Sequence, residues 1–172
     1  MSVGILVVVL VVLALVGSLL WLLPSASENR RMRLRQAAFA KGVRVREARE
    51  EMKEWKIDLQ DAGMLMQYYL INPKAKRGRW SLTNPSPTVR FQRIPDADEM
   101  SAPLMPDGWA NLPADLLLWE RWDQRVGFYW FERGDEKVLY NAIEVLKGLA
   151  ESIALEAEKP AEPSEEGSEA ED

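Results

Sequence analysis

The segment that decides the fold lies near the C-terminal end of the chain, where residues 125–132 read Arg-Val-Gly-Phe-Tyr-Trp-Phe-Glu. Side chains along a strand point alternately to its two faces, so residues 126, 128 and 130 share one face and residues 129 and 131 share the other. Both sets are apolar or aromatic. A strand that is apolar on both faces is covered on both faces. The segment therefore predicts a buried strand between two layers.

A long helix is predicted directly after this strand. The turn at Gly134-Asp135 precedes a stretch, from Asp135 to about Glu158, in which apolar residues recur every three or four positions. The apolar positions are Val138, Leu139, Ala142, Ile143, Leu146, Leu149, Ala150 and Ile153.

Upstream of this strand and helix, several short segments have the composition or alternation of strands. They are residues 43–46, 64–71, 80–82 and 88–94. Residues 116–122, rich in leucine and tryptophan, predict a short helix. The charged residues 47–61 predict another helix, with a polar strand and loop as the alternative. We expect one small α+β domain of about four short strands and a long C-terminal helix.

The chain ends in an acidic segment. Of its 172 residues, Glu156–Asp172 contain eight acidic residues and one lysine, a net charge of −7 within a total of −5. Proline and glycine interrupt the segment, and it has little apolar surface to bury, which predicts disorder. The rest of the chain is therefore mildly basic, with a net charge of +2.

The N-terminal residues suggest a membrane anchor. Val3–Leu23 are apolar except for Ser18, and 21 helical residues rise about 31 Å, close to the thickness of a bilayer core. Trp21 stands where an aromatic residue meets the headgroups. A cleavable signal peptide is the alternative, but the N-terminus lacks its basic region and the apolar run is too long.

Basic residues after the apolar run predict the orientation. Positive charges next to a span favour the cytoplasmic side, so we expect a single-pass protein with its N-terminus outside and its C-terminal domain in the cytoplasm. Anionic headgroups would attract the same residues. The expected membrane-anchoring residues are Trp21, Arg30, Arg31, Arg33 and Arg35.

A second helix is predicted next to the apolar run. Ser25 and Glu28 have the Ser-x-x-Glu spacing of a capping box, and Gly42 suits the position after a helix that runs from about Ala26 to Lys41. The resulting organisation is a transmembrane anchor at 1–24, a basic juxtamembrane helix at 25–42, an α+β cytoplasmic domain at 43–155 and an acidic tail at 156–172.

The composition argues against most catalytic classes. The chain has no histidine and no cysteine, which excludes a Ser-His-Asp triad, a thiolate nucleophile and a cysteine-held zinc or iron–sulfur site. Two acidic groups could form a cation loop and an acid–base pair, but solvation, capping and solubility are the favoured roles. These groups are Asp96, Asp98 and Glu99, and Asp115, Glu120 and Asp123. We expect no enzyme, no cofactor and no metal.

One basic and aromatic patch suggests a contact with an anionic surface, because residues 73–94 contain no acidic side chain. Lipid headgroups or the acidic tail rank first as partners, a protein second and nucleic acid last. The patch comprises Lys74, Lys76, Arg77, Arg79, Trp80, Arg90 and Arg93.

Four short motifs resemble a group of small single-span inner-membrane proteins of proteobacteria. They are Trp-Leu-Leu-Pro-Ser at 21–25, Arg-Arg-Met-Arg-Leu-Arg at 30–35, Ala-Phe-Ala-Lys-Gly-Val-Arg-Val at 38–45 and Gly-Phe-Tyr-Trp-Phe-Glu at 127–132. The arrangement is also similar to YajC-like accessory subunits of the preprotein translocase, whose Arg-Pro-Gln-Gln-Lys pattern this chain lacks. The resemblance implies an inner-membrane location and supplies no established biochemical function.

These observations predict a non-enzymatic, membrane-anchored accessory or adaptor protein. Its cytoplasmic domain would bind a partner at the inner face of the membrane, most simply a membrane-associated protein. The alternative is a small structural or assembly subunit of a larger membrane complex, in which the transmembrane helix makes the contact.

Overall fold

The computed structural model describes residues 3–21, 25–57, 63–73, 77–84, 86–93 and 112–158. The described elements are α1 (Val3–Trp21), α2 (Ala26–Ala40), β1 (Arg44–Glu47), α3 (Arg49–Glu54), β2 (Met66–Ile71), β3 (Arg79–Thr83), β4 (Leu116–Trp122), β5 (Arg125–Trp130) and α4 (Glu136–Glu158). The chain divides into two compact units, residues 1–33 and residues 34–172. The second unit contains the sheet, so this part of the chain is an α+β domain, as predicted.

The five strands form one antiparallel sheet in the order β1-β2-β5-β4-β3. The predicted strand at 125–132 is β5, which lies at the centre between β2 and β4. Its side chains are buried on both faces, since Phe128 belongs to one apolar cluster and Tyr129 to the other. The prediction of a buried, doubly covered strand is confirmed.

The first face of the sheet is fully packed. Helix α4 lies against β5 and β2, and its apolar stripe enters the larger core together with Leu34 and Ala38 of α2. The predicted C-terminal helix is confirmed, including the 3.6-residue periodicity that faces it inward. We call this side the helix face.

The second face is covered over only part of its area. Helix α3 and residues 86–93 place Trp55 and Val89 over Leu117, Leu118 and neighbouring side chains. No described element covers the other part, towards the ends of β2 and β4. We call that uncovered part the open face.

Three other predicted strands are confirmed as β1, β2 and β3, whereas two segments differ from prediction. Residues 116–122 form β4, not a helix, because they pair along their length with β3 and β5. Residues 88–93 are not a strand: Thr88 N–H donates to the Ala114 carbonyl and Gln92 N–H to the Trp55 carbonyl, both at 2.8 Å. Residue 94 lies outside the described residues.

The predicted helix at 47–61 is confirmed only over the six residues of α3, and residues 58–62 lie outside the described part. The sheet has five strands where about four were expected. The acidic tail from residue 159 onward also lies outside the described residues, so its predicted disorder stays a prediction.

The capping motifs of α2 are confirmed. Ser25 N–H donates to the Glu28 carboxylate at 2.9 Å, and Glu28 N–H donates to the Ser25 hydroxyl at 3.2 Å, which is the reciprocal pair of a capping box. At the other end, Gly42 has φ +80°. The bonds from Gly42 and Val43 N–H to Phe39 and Ala38 carbonyls complete a Schellman motif.

The prediction of a transmembrane anchor is wrong for the described residues. Among them, no helix has both the length and the apolarity needed to cross a membrane. The single-pass topology and the inner-membrane location with a cytoplasmic domain are corrected with it.

One of the residues expected to hold the chain at a membrane, Arg35, has an ionic partner inside the protein. Trp21 is the last residue of α1, and the four arginines lie on α2. The Arg35 guanidinium forms an ion pair with the Glu132 carboxylate at 2.7 Å, and that carboxylate is fully buried. Arg35 therefore binds the protein interior and not a headgroup.

Candidate functional site

The open face contains a concave site between β1, β2, β5 and β4. The site has a volume of about 200 Å³, and we call it the sheet pocket. Its lining residues are Arg46, Glu51, Gln67, Tyr69, Glu120, Trp122, Arg125 and Gly127.

Strand register brings these residues together. In antiparallel strands, directly paired residues point to the same face. One row across the sheet is Arg44, Tyr69, Gly127, Glu120 and Ser81, taken from β1 to β3. The next row towards the strand ends is Ile71, Arg125, Trp122 and Arg79. Residues distant in sequence thus form one continuous surface.

A hydrogen-bonded triangle forms the floor of the sheet pocket. The Gln67 amide donates to Glu120 Oε1 and to the Tyr129 hydroxyl, each at 2.8 Å, and the Tyr129 hydroxyl donates to Glu120 Oε1 at 2.5 Å. All three side chains are buried. Buried polar groups that satisfy one another in this way hold a fixed geometry.

Burial also determines the protonation of the floor. Desolvation raises the pKa of Glu120, against the lowering effects of the Tyr129 hydrogen bond and the Arg93 charge. Burial, followed by the Glu120 charge, raises the pKa of Tyr129. The Tyr129 phenol therefore stays protonated and can donate to Glu120 throughout the physiological range.

An arginine connects the floor to the rim. Arg46 Nε donates to Gln67 Oε1 at 2.5 Å, and the Arg46 guanidinium also forms an ion pair with Glu51 of α3. This contact determines the orientation of the Gln67 amide, because the carbonyl faces Arg46 and the NH₂ group faces Glu120. The rim and the floor are therefore one connected network.

Aromatic rings with arginines over them form the mouth of the sheet pocket. Trp122 is 50% exposed, and the Arg79 guanidinium lies 4.6 Å from its ring centroid. The Arg125 guanidinium lies 5.9 Å from the centroid of Tyr69. Both pairs are within cation–π distance. Stacking of this kind holds the two aromatic rings and their arginines as flat, amphipathic surfaces at the entrance of the sheet pocket.

Gly127 leaves the space between Tyr69 and Glu120 empty. A Cβ atom at this position would lie 2.5 Å from the Tyr68 carbonyl oxygen and 2.8 Å from Tyr69 Cβ. Neither distance is possible without movement of β2, so the close approach of the two central strands requires glycine here.

The basic and aromatic patch predicted from the sequence is divided by the structure. Trp80 is buried in the main core, whereas Arg79 lies at the mouth of the sheet pocket and Arg77 is exposed. Arg90 and Arg93 border a second, wider depression of about 930 Å³, next to Phe91. Lys74 and Lys76 lie outside the described residues.

The predicted acidic groups have separate surroundings. The Asp115 carboxylate accepts a hydrogen bond from Arg133 N–H at 2.9 Å, and Asp123 lies in the turn after β4 with φ +55°. Of the three residues weighed as an acid–base group, only Glu120 reaches the sheet pocket. The loop with Asp96, Asp98 and Glu99 is outside the described residues. Within the described residues, no three acidic side chains are grouped as a metal site.

Sequence reasoning missed most of the sheet pocket. Gln67 and Glu120 are polar residues inside otherwise apolar strands, in Met-Gln-Tyr-Tyr and Leu-Trp-Glu-Arg-Trp. Such an interruption is a usable signal, since a buried polar group needs a partner. The identity of that partner depends on strand register, which the local pattern does not contain.

A second buried polar cluster lies behind β2 and has a structural role. Glu132 is fully buried, and its carboxylate accepts two hydrogen bonds from Arg35 at 2.8 and 2.7 Å and one from the Tyr68 hydroxyl at 2.7 Å. This two-pronged ion pair joins α2 to the sheet. Because Glu132 has no exposed surface, its carboxylate is not accessible to a ligand.

Comparison with known proteins gives no relative: no family model, curated protein or solved structure matches the chain.

Proposed function

We propose that this chain is a non-enzymatic adaptor protein that binds a partner protein through the sheet pocket and the open face around it. The observation behind the proposal is the half-exposed Trp122, stacked with Arg79 beside a preformed pocket on a sheet face that no described element covers. Tryptophan, tyrosine and arginine are the residues that most often dominate binding energy at protein interfaces.

The size of the sheet pocket supports a protein partner. Its volume of about 200 Å³ is below the roughly 300–1,000 Å³ typical of small-molecule sites. A space of this size holds one side chain of a partner, while the exposed surroundings, including Ile71 and Trp122, hold the flanking residues.

The chemistry of the sheet pocket favours binding over catalysis. Its buried carboxylate, Glu120, is held by Gln67 and Tyr129, and its other carboxylate, Glu51, is held by Arg46. Both acids are therefore occupied in maintaining the network. The chain also contains no histidine or cysteine, the side chains that most often act as a base or as a strong nucleophile near neutral pH.

Position-specific photocrosslinking in the source cells tests the proposal. A photoreactive phenylalanine replaces Trp122 on the open face or, as the matched control, Tyr140, which is 38% exposed on α4. We expect a discrete protein adduct from position 122 and none from position 140. The adduct should disappear with Arg125→Glu and persist with Lys41→Glu, since Lys41 lies over the Tyr140 ring. Equal crosslinking at both positions, or none at position 122, would contradict the proposal.

A further inference from the structure

Among the described residues, the open face has more arginines than carboxylates. Its two residue rows and the network behind them include five described arginines and two described glutamates, one of which has a raised pKa, and Arg93 joins them by donating to the Ser81 hydroxyl at 2.7 Å. The arginines are Arg44, Arg46, Arg79, Arg93 and Arg125. Guanidinium groups bind carboxylates through paired, charge-assisted hydrogen bonds, so this surface suits a segment with several carboxylates.

The chain itself contains such a segment. Residues 159–172 read Lys-Pro-Ala-Glu-Pro-Ser-Glu-Glu-Gly-Ser-Glu-Ala-Glu-Asp, with six acidic side chains and one lysine. The segment contains no aromatic residue and no large aliphatic one. Its affinity for another surface must therefore come mainly from charge.

The path of α4 starts this segment close to the open face. Helix α4 follows β5 and runs back along the sheet, and the Asn72 side-chain amide donates to the Ala150 carbonyl at 3.1 Å. Asn72 directly follows Ile71, which is paired with Arg125 at the edge of the open face. The C-terminal part of α4 is thus fixed at the same end of the sheet as Arg125 and Trp122.

The segment is long enough to cross the whole open face. From Ala150, the last eight residues of α4 rise about 12 Å, and 14 extended residues span up to about 46–50 Å. Five adjacent strands are only about 19 Å across, measured from the first strand to the last. The segment can turn back from Glu158 and still reach Arg44.

We infer that residues 159–172 bind the open face of their own chain, with their carboxylates on the guanidinium groups of Arg125, Arg79 and Arg44, and compete there with the partner. Attachment to α4 makes the contact intramolecular, and short flexible linkers give effective concentrations in the millimolar range. A weak contact then suffices. The inference rests on the proposed function for the competition, but not for the contact itself.

A single spin label on the full-length chain tests the contact. Because the chain has no cysteine, Ser168→Cys provides one labelling site. We expect the label to broaden the NMR signal of the Trp122 indole N–H and to leave the Tyr140 amide, on the helix face, unchanged. Salt at 1 M reduces the screening length to about 3 Å and should remove the effect. Arg125→Glu should also remove it, and the control Lys41→Glu should not.

Two results would overturn the inference. One is a Trp122 signal that is not broadened at low salt. The other is the same broadening in a mixture of isotope-labelled chains that carry no spin label with spin-labelled chains that carry no isotope, since the contact would then be between two copies.

Competition is measured separately by removing residues 159–172 and repeating the crosslinking at position 122. We expect the partner adduct to increase, and an unchanged or smaller yield would contradict the competition. Broadening without any adduct would reject the partner-binding function and leave the intramolecular contact standing. An adduct without broadening would reject the contact and leave the function standing.

Discussion

Glu120 shows how a single residue links the fold to the candidate site. Its backbone belongs to β4, between the Leu117–Leu118 part of the second core and the exposed Trp122. A carboxylate in this position costs free energy when ionised, because the protein replaces water with only a few hydrogen-bond donors. Hydrogen bonds from the Gln67 amide and the Tyr129 hydroxyl to Glu120 Oε1 reduce this cost. The same arrangement makes the sheet pocket sensitive to pH.

Glu120→Gln should change how stability depends on pH. Desolvation raises the pKa of Glu120 in the folded state, whereas in the unfolded chain it is about 4.3. The folded state therefore binds more protons, so stability from this group is complete below about pH 4 and decreases as the pH rises through the folded-state pKa. Urea unfolding at several pH values should show wild type losing stability relative to the variant as pH rises. Parallel curves would contradict the assignment.

Glu132→Gln should weaken the domain without affecting the sheet pocket. The variant leaves Arg35 without its ionic partner and changes the acceptor of the Tyr68 hydroxyl. Losing charged hydrogen bonds of this kind costs about 2–3 kcal/mol. The control is Glu144→Gln, whose carboxylate is 70% exposed next to Lys147 and should change stability by less than about 0.5 kcal/mol. Denaturant titration separates the two, and equal effects would contradict a structural role for the buried pair.

At the scale of the elements, the sequence predicts best where the local pattern fits only one structure. Helix α4 has one dominant periodicity, and residues 125–132 form an aromatic run apolar on both faces of a strand, so the pattern predicts the correct faces for both. The pattern of residues 116–122 does not decide between two structures, because leucines and tryptophans at 116–119 and 122 suit a helix as well as a strand. Residues 116–122 form a strand because they pair with β3 and β5. Those partners lie elsewhere in the sequence, so the local pattern does not contain them.

The candidate site was less predictable than the fold for the same reason. Arg46, Gln67, Glu120 and Arg125 belong to four different strands, and only the register places them around one pocket. The basic and aromatic patch within residues 73–94 predicts one continuous surface. In a strand, however, alternate residues face opposite sides, so Trp80 entered the core and Arg79 the open face.

Gly127→Ala tests the close approach of β5 and β2. The added methyl group would meet the Tyr68 carbonyl and the Tyr69 side chain, and overpacking of this kind costs about 1–3 kcal/mol. Movement of Tyr69 should also reduce partner crosslinking from position 122. Gly148→Ala is the control, since open space surrounds this exposed glycine on α4. It should stabilise the helix by about 0.5–1 kcal/mol, measured by thermal unfolding. A stabilising Gly127→Ala variant would contradict the packing described.

At the scale of the whole domain, the two faces of the sheet have different roles: one contains most of the core, and the other contains the candidate site. The helix face contains the larger core and the ion pair between Arg35 and the fully buried Glu132 carboxylate. The open face has a smaller core at one end and the sheet pocket beside it. The strong packing on one face provides the rigidity with which the other face can hold a pocket of about 200 Å³ open.

Packing of the helix face requires the C-terminal part of α2 to belong to the α+β domain. Leu34 and Ala38 are fully buried in the larger core, although the sequence suggested a domain beginning at residue 43. Leu34→Ala shortens a buried isobutyl side chain to a methyl group, and such changes cost about 2–5 kcal/mol. Met32→Ala, two residues earlier at a side chain that is 53% exposed, should change stability by less than about 0.5 kcal/mol. Urea unfolding of the full-length variants, followed by tryptophan fluorescence, measures the difference. If Leu34→Ala unfolds like Met32→Ala, α2 is a connector outside the core; a large difference makes it the segment that closes the helix face.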